Sequence, residues 1–368
     1  MTRRQKRYER RKALRNQKRN AFLIGYDNFN IIMNRNNLYS AAEEAKKRVM
    51  WKGTVQRWNN NQLLETEKLY RDLANGKDVR KGFSKFTVFE RGKLRHISAV
   101  RFYERVVQKN LCSNILIPVY SKSLIYDNTA SQKGKGMLFA YNRLSTHLRR
   151  FFKRYGVNGY ALLIDFKGYF ENINHTALKQ LYRRYFKDKR LLGLIDSFVD
   201  AYGEKGLGLG SEANQMHAIF FPNEIDHAVN IGGHGLVYYG RYMDDSYIIS
   251  PEKNILKRIL FKIKKICEKL KITLSPKKTK IVSLHNGIKW LKTRFYLLET
   301  GKIIKKPCRN SIVRERRKLK KQLKLLKQGK ISRAEIRQSF ESWAGSMKRR
   351  NARLSVWKMR QLLWSIKI

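Results

Sequence analysis

The sequence predicts an α+β fold, and three observations carry that prediction. Two stretches, Phe83 to Ala99 and Leu236 to Ser250, read as strand–turn–strand, rich in β-branched and aromatic residues. Long segments such as Met137 to Phe152 and Asn254 to Leu270 place apolar residues at helical spacing. Tyr160 to Ile164 is a short apolar run of strand length that ends on Asp165.

Taken in order, residues Met1 to Asn20 hold ten Lys or Arg and one Glu. This stretch reads either as a solvated arm or as a helix that orders on nucleic acid. A turn and an amphipathic helix fill Tyr26 to Met50, and a second helix runs from Thr54 to the stop at Asn75–Gly76. The first hairpin turns at Arg91–Gly92, with a basic return strand from Lys93 to Ala99. Arg101 to Leu116 is helical. A loop rich in glycine and lysine, Ser131 to Gly136, precedes the Met137 helix. After Asp165, helices are expected at Thr176 to Phe186, Leu191 to Tyr202 and Ser211 to Phe221, the last following the glycine turn Gly206 to Gly210. Short strands fall near Ile281, Ile288 and Phe295. Beyond Gly301 the composition shifts: Lys302 to Lys330 holds thirteen Lys or Arg and one acid, with Leu and Ile at helical spacing. Helices at Arg333 to Ala344 and Arg353 to Ile366 follow. Trp343, Trp357 and Trp364 are expected in a core or groove.

Charge narrows the partner. The chain of 368 residues carries 81 Lys and Arg against 28 Asp and Glu, a formal +53. Such a surface attracts polyanions, nucleic acid before an anionic membrane. Three widely spaced cysteines, Cys112, Cys267 and Cys308, make neither a disulfide framework nor a cysteine zinc site and fit a reducing compartment. No run of 18 apolar residues occurs, so no membrane partner and a cytoplasmic location are expected.

Acids are scarce, so the placed ones stand out. Asp165 closes an apolar strand, and Asp244 and Asp245 share a hairpin tip. An Asp pair at a turn is common on its own, because Asp tolerates turn geometry. Three carboxylates on neighbouring strands of a very basic protein make a stronger pattern, a cluster for hard divalent cations. Two metals roughly 3.5–4 Å apart can clamp an in-line phosphoryl displacement.

These residues resemble reverse transcriptases. Tyr242-Met-Asp-Asp245 is similar to the family's active-site box, and Leu162 to His175 to its first catalytic block. Leu207-Gly-Leu-Gly-Ser-Glu-Ala-Asn-Gln215 resembles the block between them, and Leu274-Ser-Pro-Lys-Lys-Thr279 the later block with its lysine. Gly92 to Ile97 and Glu104 to Gln108 resemble the fingers blocks. The blocks keep the family's order from about residue 83 to 298. Gln215 stands where retroviral and intron enzymes carry Pro, as in diversity-generating enzymes, although those precede it with Ser and this chain has Asn214. Ser342-Trp-Ala-Gly345 also looks like their C-terminal region. Ser246 and Lys292 depart from a common Phe and a common Gly.

The resemblance implies a right-hand polymerase. It would have a basic arm (1–25), fingers (26–155), a palm of antiparallel sheet on helices (156–300) and a basic helical thumb (301–368). Asp165 and Asp244 would ligate two Mg²⁺, with Mn²⁺ as a substitute. Asp245 would complete the cluster, and the Phe166 backbone would lie beside the triphosphate. Phe170 would gate the sugar. Lys93 and Arg95 would reach the triphosphate or template, Gly210 and Gln215 would shape the pocket, and Lys278 would act on the leaving pyrophosphate, with Lys277 and Lys280 nearby. The partners implied are a structured noncoding RNA template, a DNA or RNA primer, dNTPs and a small accessory protein. The role would lie in a bacterial or phage retroelement, a diversity-generating system or antiphage defence. No ribonuclease H site is expected, since only three acids follow Gly301. The competing readings are an RNA-dependent RNA polymerase, a catalytically silent RNA-binding scaffold and a plain basic RNA-binding protein.

Overall fold

The computed structural model describes residues 2–90, 93–233 and 235–364, apart from the side chains at 4, 90 and 93. The chain forms two compact units, interleaved along the sequence. The first takes Met1–Ser131, Phe166–His227 and Ile263–Thr273; the second takes Gln132–Asp165, Ala228–Lys262 and Leu274–Ile368.

The first unit is helical around one hairpin. The basic N-terminus is a continuous helix, Arg3–Ile24, started by a capping box in which Thr2 and Gln5 satisfy each other's backbone N–H groups. The helix expected over Thr54 to Asn75 is two, Gly53–Asn60 and Gln62–Ala74, broken at Asn61. The break falls in a run of three asparagines, whose side chains compete with the helical backbone. The Arg101 helix runs further than expected, through Pro118 to Ser123. Pro118 has no N–H to return and its ring crowds the preceding turn. A π turn over Cys112–Leu116 absorbs the misfit, and the segment keeps Leu111 and Tyr120 buried on either side of it and Ile115 buried within it. Strands β1 (Phe83–Glu90) and β2 (Lys93–Val100) pair antiparallel from Phe83–Val100 to Glu90–Lys93. Tyr120 stacks flat on Phe220 at 3.8 Å and donates to or accepts from the fully buried His217, so that histidine is a core residue.

The second unit holds two antiparallel sheets. Strands β3 (Tyr160–Asp165), β4 (Tyr238–Tyr242), β5 (Asp245–Ser250) and β6 (Lys280–Ser283) align in the order β4-β5-β3-β6. The central place of β3 explains its unbroken apolar run: Ala161 to Ile164 are all buried. The Met137–Tyr155 helix lays Ala140, Tyr141, Leu144, Leu148 and Phe151 into the core with Leu163, Tyr247 and Trp290.

Strands β7 (Ile288–Trp290), β8 (Thr293–Leu297) and β9 (Ile303–Pro307) make the second sheet. Strand β9 corrects the expected helix from Lys302. Gly301 turns the chain at φ +75°, where an added Cβ would strike the Phe152 ring, and Ile303–Ile304 then pair with β8. Pro307 ends β9 on the sheet's edge, where its missing N–H costs nothing. The basic helix starts later, at Arg309–Lys327. It packs Leu319 and Leu323 against Ile336 and Phe340 of the Arg333–Met347 helix, which a Ser332–Glu335 capping box starts, and Met359 of the Arg353–Trp364 helix. Trp343 packs on this cluster. Trp357 and Trp364 are 56% and 65% exposed, so of the core or groove expected for them the core is excluded. All three cysteines are free. No helix among the described residues is long and apolar enough to cross a membrane.

Candidate active site

Register brings the acids together. β3 and β5 pair so that Asp165 stands directly opposite Asp245. β4 and β5 pair through Tyr242 and Asp245, leaving Met243 and Asp244 as a two-residue turn. Such tight turns need a positive φ, and Met243 adopts φ +55° without being glycine. Arg241 supports it from beneath: its guanidinium is fully buried and donates to the Met243 carbonyl at 2.9 Å.

Lys278 reaches the same corner from the second unit's own chain. The Ser275 N–H donates to the Asp165 carbonyl at 2.8 Å, and the next turn returns Thr279 N–H to the Ser275 carbonyl at 2.8 Å. That turn presents the Lys278 ammonium to Asp165 Oδ2 at 2.7 Å, while the rest of its side chain stays exposed. Of the three neighbouring lysines, Lys278 is the one with an ion pair to these acids among the described residues.

Crowding sets the electrostatics. Burial, then the charges of Asp244 and Asp165, push the Asp245 carboxyl up to about 7, against a backbone hydrogen bond from Leu291. Burial also raises Asp244, with Asp165 adding to it and Lys278 and Arg241 opposing. Burial disfavours the Lys278 charge, yet its hydrogen bond to Asp165 and the field of all three acids raise its pKa overall. Among the described residues, no three His, Cys, Asp or Glu side chains converge to hold a metal as they stand. The donor set itself is hard oxygen, mutually repelling, with one ammonium already drawn to it. That chemistry suits an oxygen-loving divalent cation.

The other predicted residues fall in the first unit. The Phe166 ring is buried, 5.2 Å from that of Tyr169, so only its backbone is left for a ligand. Tyr169 is buried with its hydroxyl on the Ala218 carbonyl at 2.7 Å, whereas Phe170 is half-buried in the short 3₁₀ turn that follows. Gly206 lets the chain lie against that turn: a Cβ there would sit 2.7 Å from the Glu171 carbonyl oxygen. Leu207 N–H then donates to the Phe170 carbonyl at 2.7 Å.

Gly210 crosses β2 at φ +119°, with Ser98 N–H bonded to Leu209. It shares a cavity of about 380 Å³ with Gln215, Arg105, Gln108 and Glu212. Gln215 is exposed on a helix, Glu212–Phe220, that otherwise buries most of its length. A hydrogen-bonded run supports the cavity wall: Gln108 donates to Glu104 at 2.8 Å, Ser211 to Gln108 at 2.6 Å, and Asn214 N–H to Ser211 at 3.2 Å. Asn214, the departure noted above, is buried and ties Nδ2 to the Gly208 carbonyl at 3.0 Å. Arg95 is exposed on β2 and does not line that cavity, and the Lys93 side chain lies outside the described residues.

Sequence reasoning missed Arg241 and Trp290, and it gave Glu104 no role beyond its place in the Glu104 to Gln108 block. Arg241 had a signal, a cation two residues before the turn in an otherwise apolar strand. Trp290 packs edge-on to Tyr247 at 4.7 Å and reaches the Asp245 carbonyl with Nε1 at 3.4 Å.

Among solved structures, an apo telomerase from Candida tropicalis, truncated from its C-terminal domain, is 13% identical, with 61% of this chain and 54% of that one covered at a TM-score of 0.48. A telomerase from Candida albicans, in complex with a fragment of telomeric RNA, is 11% identical, with 70% and 51% covered, also at 0.48. The chain thus spans about half the length of these telomerases. No curated protein matches it. Residues 79–297, well over half the chain, match the family model described as reverse transcriptase (RNA-dependent DNA polymerase). The matched span contains the hairpin, the glycine turn and the aspartate corner, and the mixed sheet and helix architecture is that of a right-hand polymerase. The chain therefore belongs to the reverse transcriptase family, the RNA-directed DNA polymerases.

Proposed function

We propose that this protein copies a structured noncoding RNA into DNA by nucleotidyl transfer assisted by two Mg²⁺ ions, with Mn²⁺ as a substitute. The observation that carries this reading is the pairing of Asp165 with Asp245, beside Asp244 at the turn and Lys278 on Asp165. Asp165 and Asp244 would hold the metals and Asp245 would complete their charge, with the Phe166 backbone beside the triphosphate. When bound, such ions supply charge stabilisation at the attacking and leaving oxygens. The chain's own residues do the rest. Arg241 and the β3–β5 register orient the carboxylates. Lys278 carries positive charge to the side of Asp165, where it would stabilise or protonate the departing pyrophosphate. Phe170 would lie beneath the sugar, Gly210 and Gln215 would border template and nucleotide, and Lys93 and Arg95 would contact phosphates from the hairpin.

In this reading the fingers span 26–155, the palm 156–300 and the thumb 301–368, with the basic N-terminal helix as a further grip on RNA. Phosphate contacts of that kind hold without reading sequence. Gln215 and the Ser342 to Gly345 stretch favour the diversity-generating branch of the bacterial enzymes, with a primer and a small accessory protein as partners. Antiphage defence is the competing role.

Primer extension on an RNA template tests the activity, with dNTPs and rNTPs in separate reactions. DNA product dependent on Mg²⁺ is expected. Efficient extension with rNTPs alone would replace this reading by an RNA polymerase, and no extension with either, despite tight RNA binding, would leave a binding scaffold.

A further inference from the structure

The turn between β7 and β8 is strained in a way its sequence does not require. Trp290 pairs with Thr293, so Leu291 and Lys292 make a two-residue turn with φ +45° and +64°. Asn and Gly are the residues that accept such angles. A Leu and a Lys there persist only if their surroundings hold them.

One phenol does the holding. The Tyr141 hydroxyl donates to the Leu291 carbonyl at 2.8 Å. Thr293 Oγ1 donates to the same phenol oxygen at 2.8 Å, and Arg350 Nη2 does so at 3.2 Å. Tyr141, Thr293 and Arg350 are all buried. The turn so fixed meets Asp245 through its flanking residue: Trp290 Nε1 donates to the Asp245 carbonyl at 3.4 Å.

Arg350 is the odd member. No carboxylate among the described residues pairs with it, its Nε is buried without a partner, and its guanidinium otherwise meets only the Met347 sulfur at 3.9 Å and the Tyr141 ring, 6.0 Å from the centroid. A buried guanidinium so poorly matched is a weak source of stability. It sits in the connection between the Arg333–Met347 and Arg353–Trp364 helices.

We propose that Tyr141 and Arg350 are positioning residues for nucleotidyl transfer. They fix the Leu291–Lys292 turn, and through Trp290 the backbone position of Asp245, so that the placement of the C-terminal helices is registered at the catalytic corner. This inference rests on the reading of Asp245 as part of that corner.

Tyr141→Phe removes the hydroxyl and keeps the ring packed on Phe295. Supports of this kind around metal-binding carboxylates typically matter by about 10- to 100-fold. We expect kcat for dNTP addition to fall by about that factor with KM for dNTP and RNA affinity unchanged, and Tm to fall because buried groups lose their partner. Mn²⁺ affinity of the protein alone, followed by electron paramagnetic resonance, should weaken in parallel. Arg350→Met should reproduce the loss, and the double variant should be no worse than Tyr141→Phe, because both act through one oxygen. Wild-type kcat and Mn²⁺ affinity in Tyr141→Phe would overturn the inference, as would additive losses in the double variant. If Tyr141→Phe does not fold, Arg350→Met alone decides by the same kcat and Mn²⁺ readouts. Asp245→Ala separates the layers: its inactivity beside a normal Tyr141→Phe removes only the positioning role, while an active Asp245→Ala removes the catalytic reading as well.

Discussion

Asp245 in the second unit and Glu104 in the first are both carboxyls pushed up to about 7, and for different reasons. Burial leads in each. Around Asp245, two further acids add to the shift. Around Glu104, a Gln108 hydrogen bond, a backbone bond and the Arg80 charge all oppose it. The first environment concentrates negative charge that a divalent cation would relieve. The second is built into a hydrogen-bonded wall, where Asp78 adds a little to the rise and the nearer partners oppose it, and it calls for a proton. A raised carboxyl is thus a stronger functional pointer where several acids converge on it than where burial acts against its partners.

The largest effect that could break this contrast comes from the corner. Asp244→Ala, Asp245→Ala or Asp165→Asn should each cut primer extension about 10³-fold or more, some 4 kcal/mol of transition-state stabilisation. RNA binding should persist, because the cationic surface is untouched. Extension rates near wild type would put Asp245 in the same class as Glu104.

Next comes stability against pH. Between its ordinary value of 4.5 and about 7, folded Glu104 holds a proton that the unfolded chain releases. The stability it contributes is complete below pH 4.5 and lost as pH rises through 7, roughly 3 kcal/mol if the whole shift is realised. Glu104→Gln should flatten that decline in urea unfolding compared between about pH 5 and pH 8. An unchanged slope would mean that Glu104 is ionised and paired.

A smaller test concerns adjacent rings. Tyr169 is anchored to the Ala218 carbonyl while Phe170 is half-buried. Phe170→Val should lower the ratio of kcat/KM for dNTP over rNTP about tenfold or more. Tyr169→Phe should leave that ratio alone. The reverse pattern would shift the sugar gate by one residue. Smallest of all, removing residues 2–20 should flatten the salt dependence of RNA binding by about 0.7 in log–log slope for each lost contact and leave extension on short primed templates. It should change neither carboxyl.

What could be read in advance follows how local the cause is. The Tyr160 to Asp165 run and the Asp244–Asp245 turn were legible because strand burial and turn chemistry act within a few residues. Strand β9 was not: thirteen cations between Lys302 and Lys330 read as one helix, and the decision lies with Gly301 against Phe152 and the pairing with β8. The passage through Pro118 needed a π turn that no spacing announces. Tyr141 looked like one apolar position among several on its helix. Its importance comes from Leu291, 150 residues away.

The Arg3–Ile24 helix carries almost all its charge in one sign. Ten cations stand within the first twenty residues, and Glu9 makes a single long contact with Lys12, at 3.8 Å. Like charges a turn apart loosen a helix. Dissolved salt screens that repulsion and firms the rod, yet it also screens the attraction between the rod and phosphate. Ionic strength therefore moves the helix's order and its grip in opposite directions. On the proposed reading, the segment would be most compliant in the dilute conditions where its grip on RNA is strongest, and a bound polyanion would firm it by cancelling the repulsion.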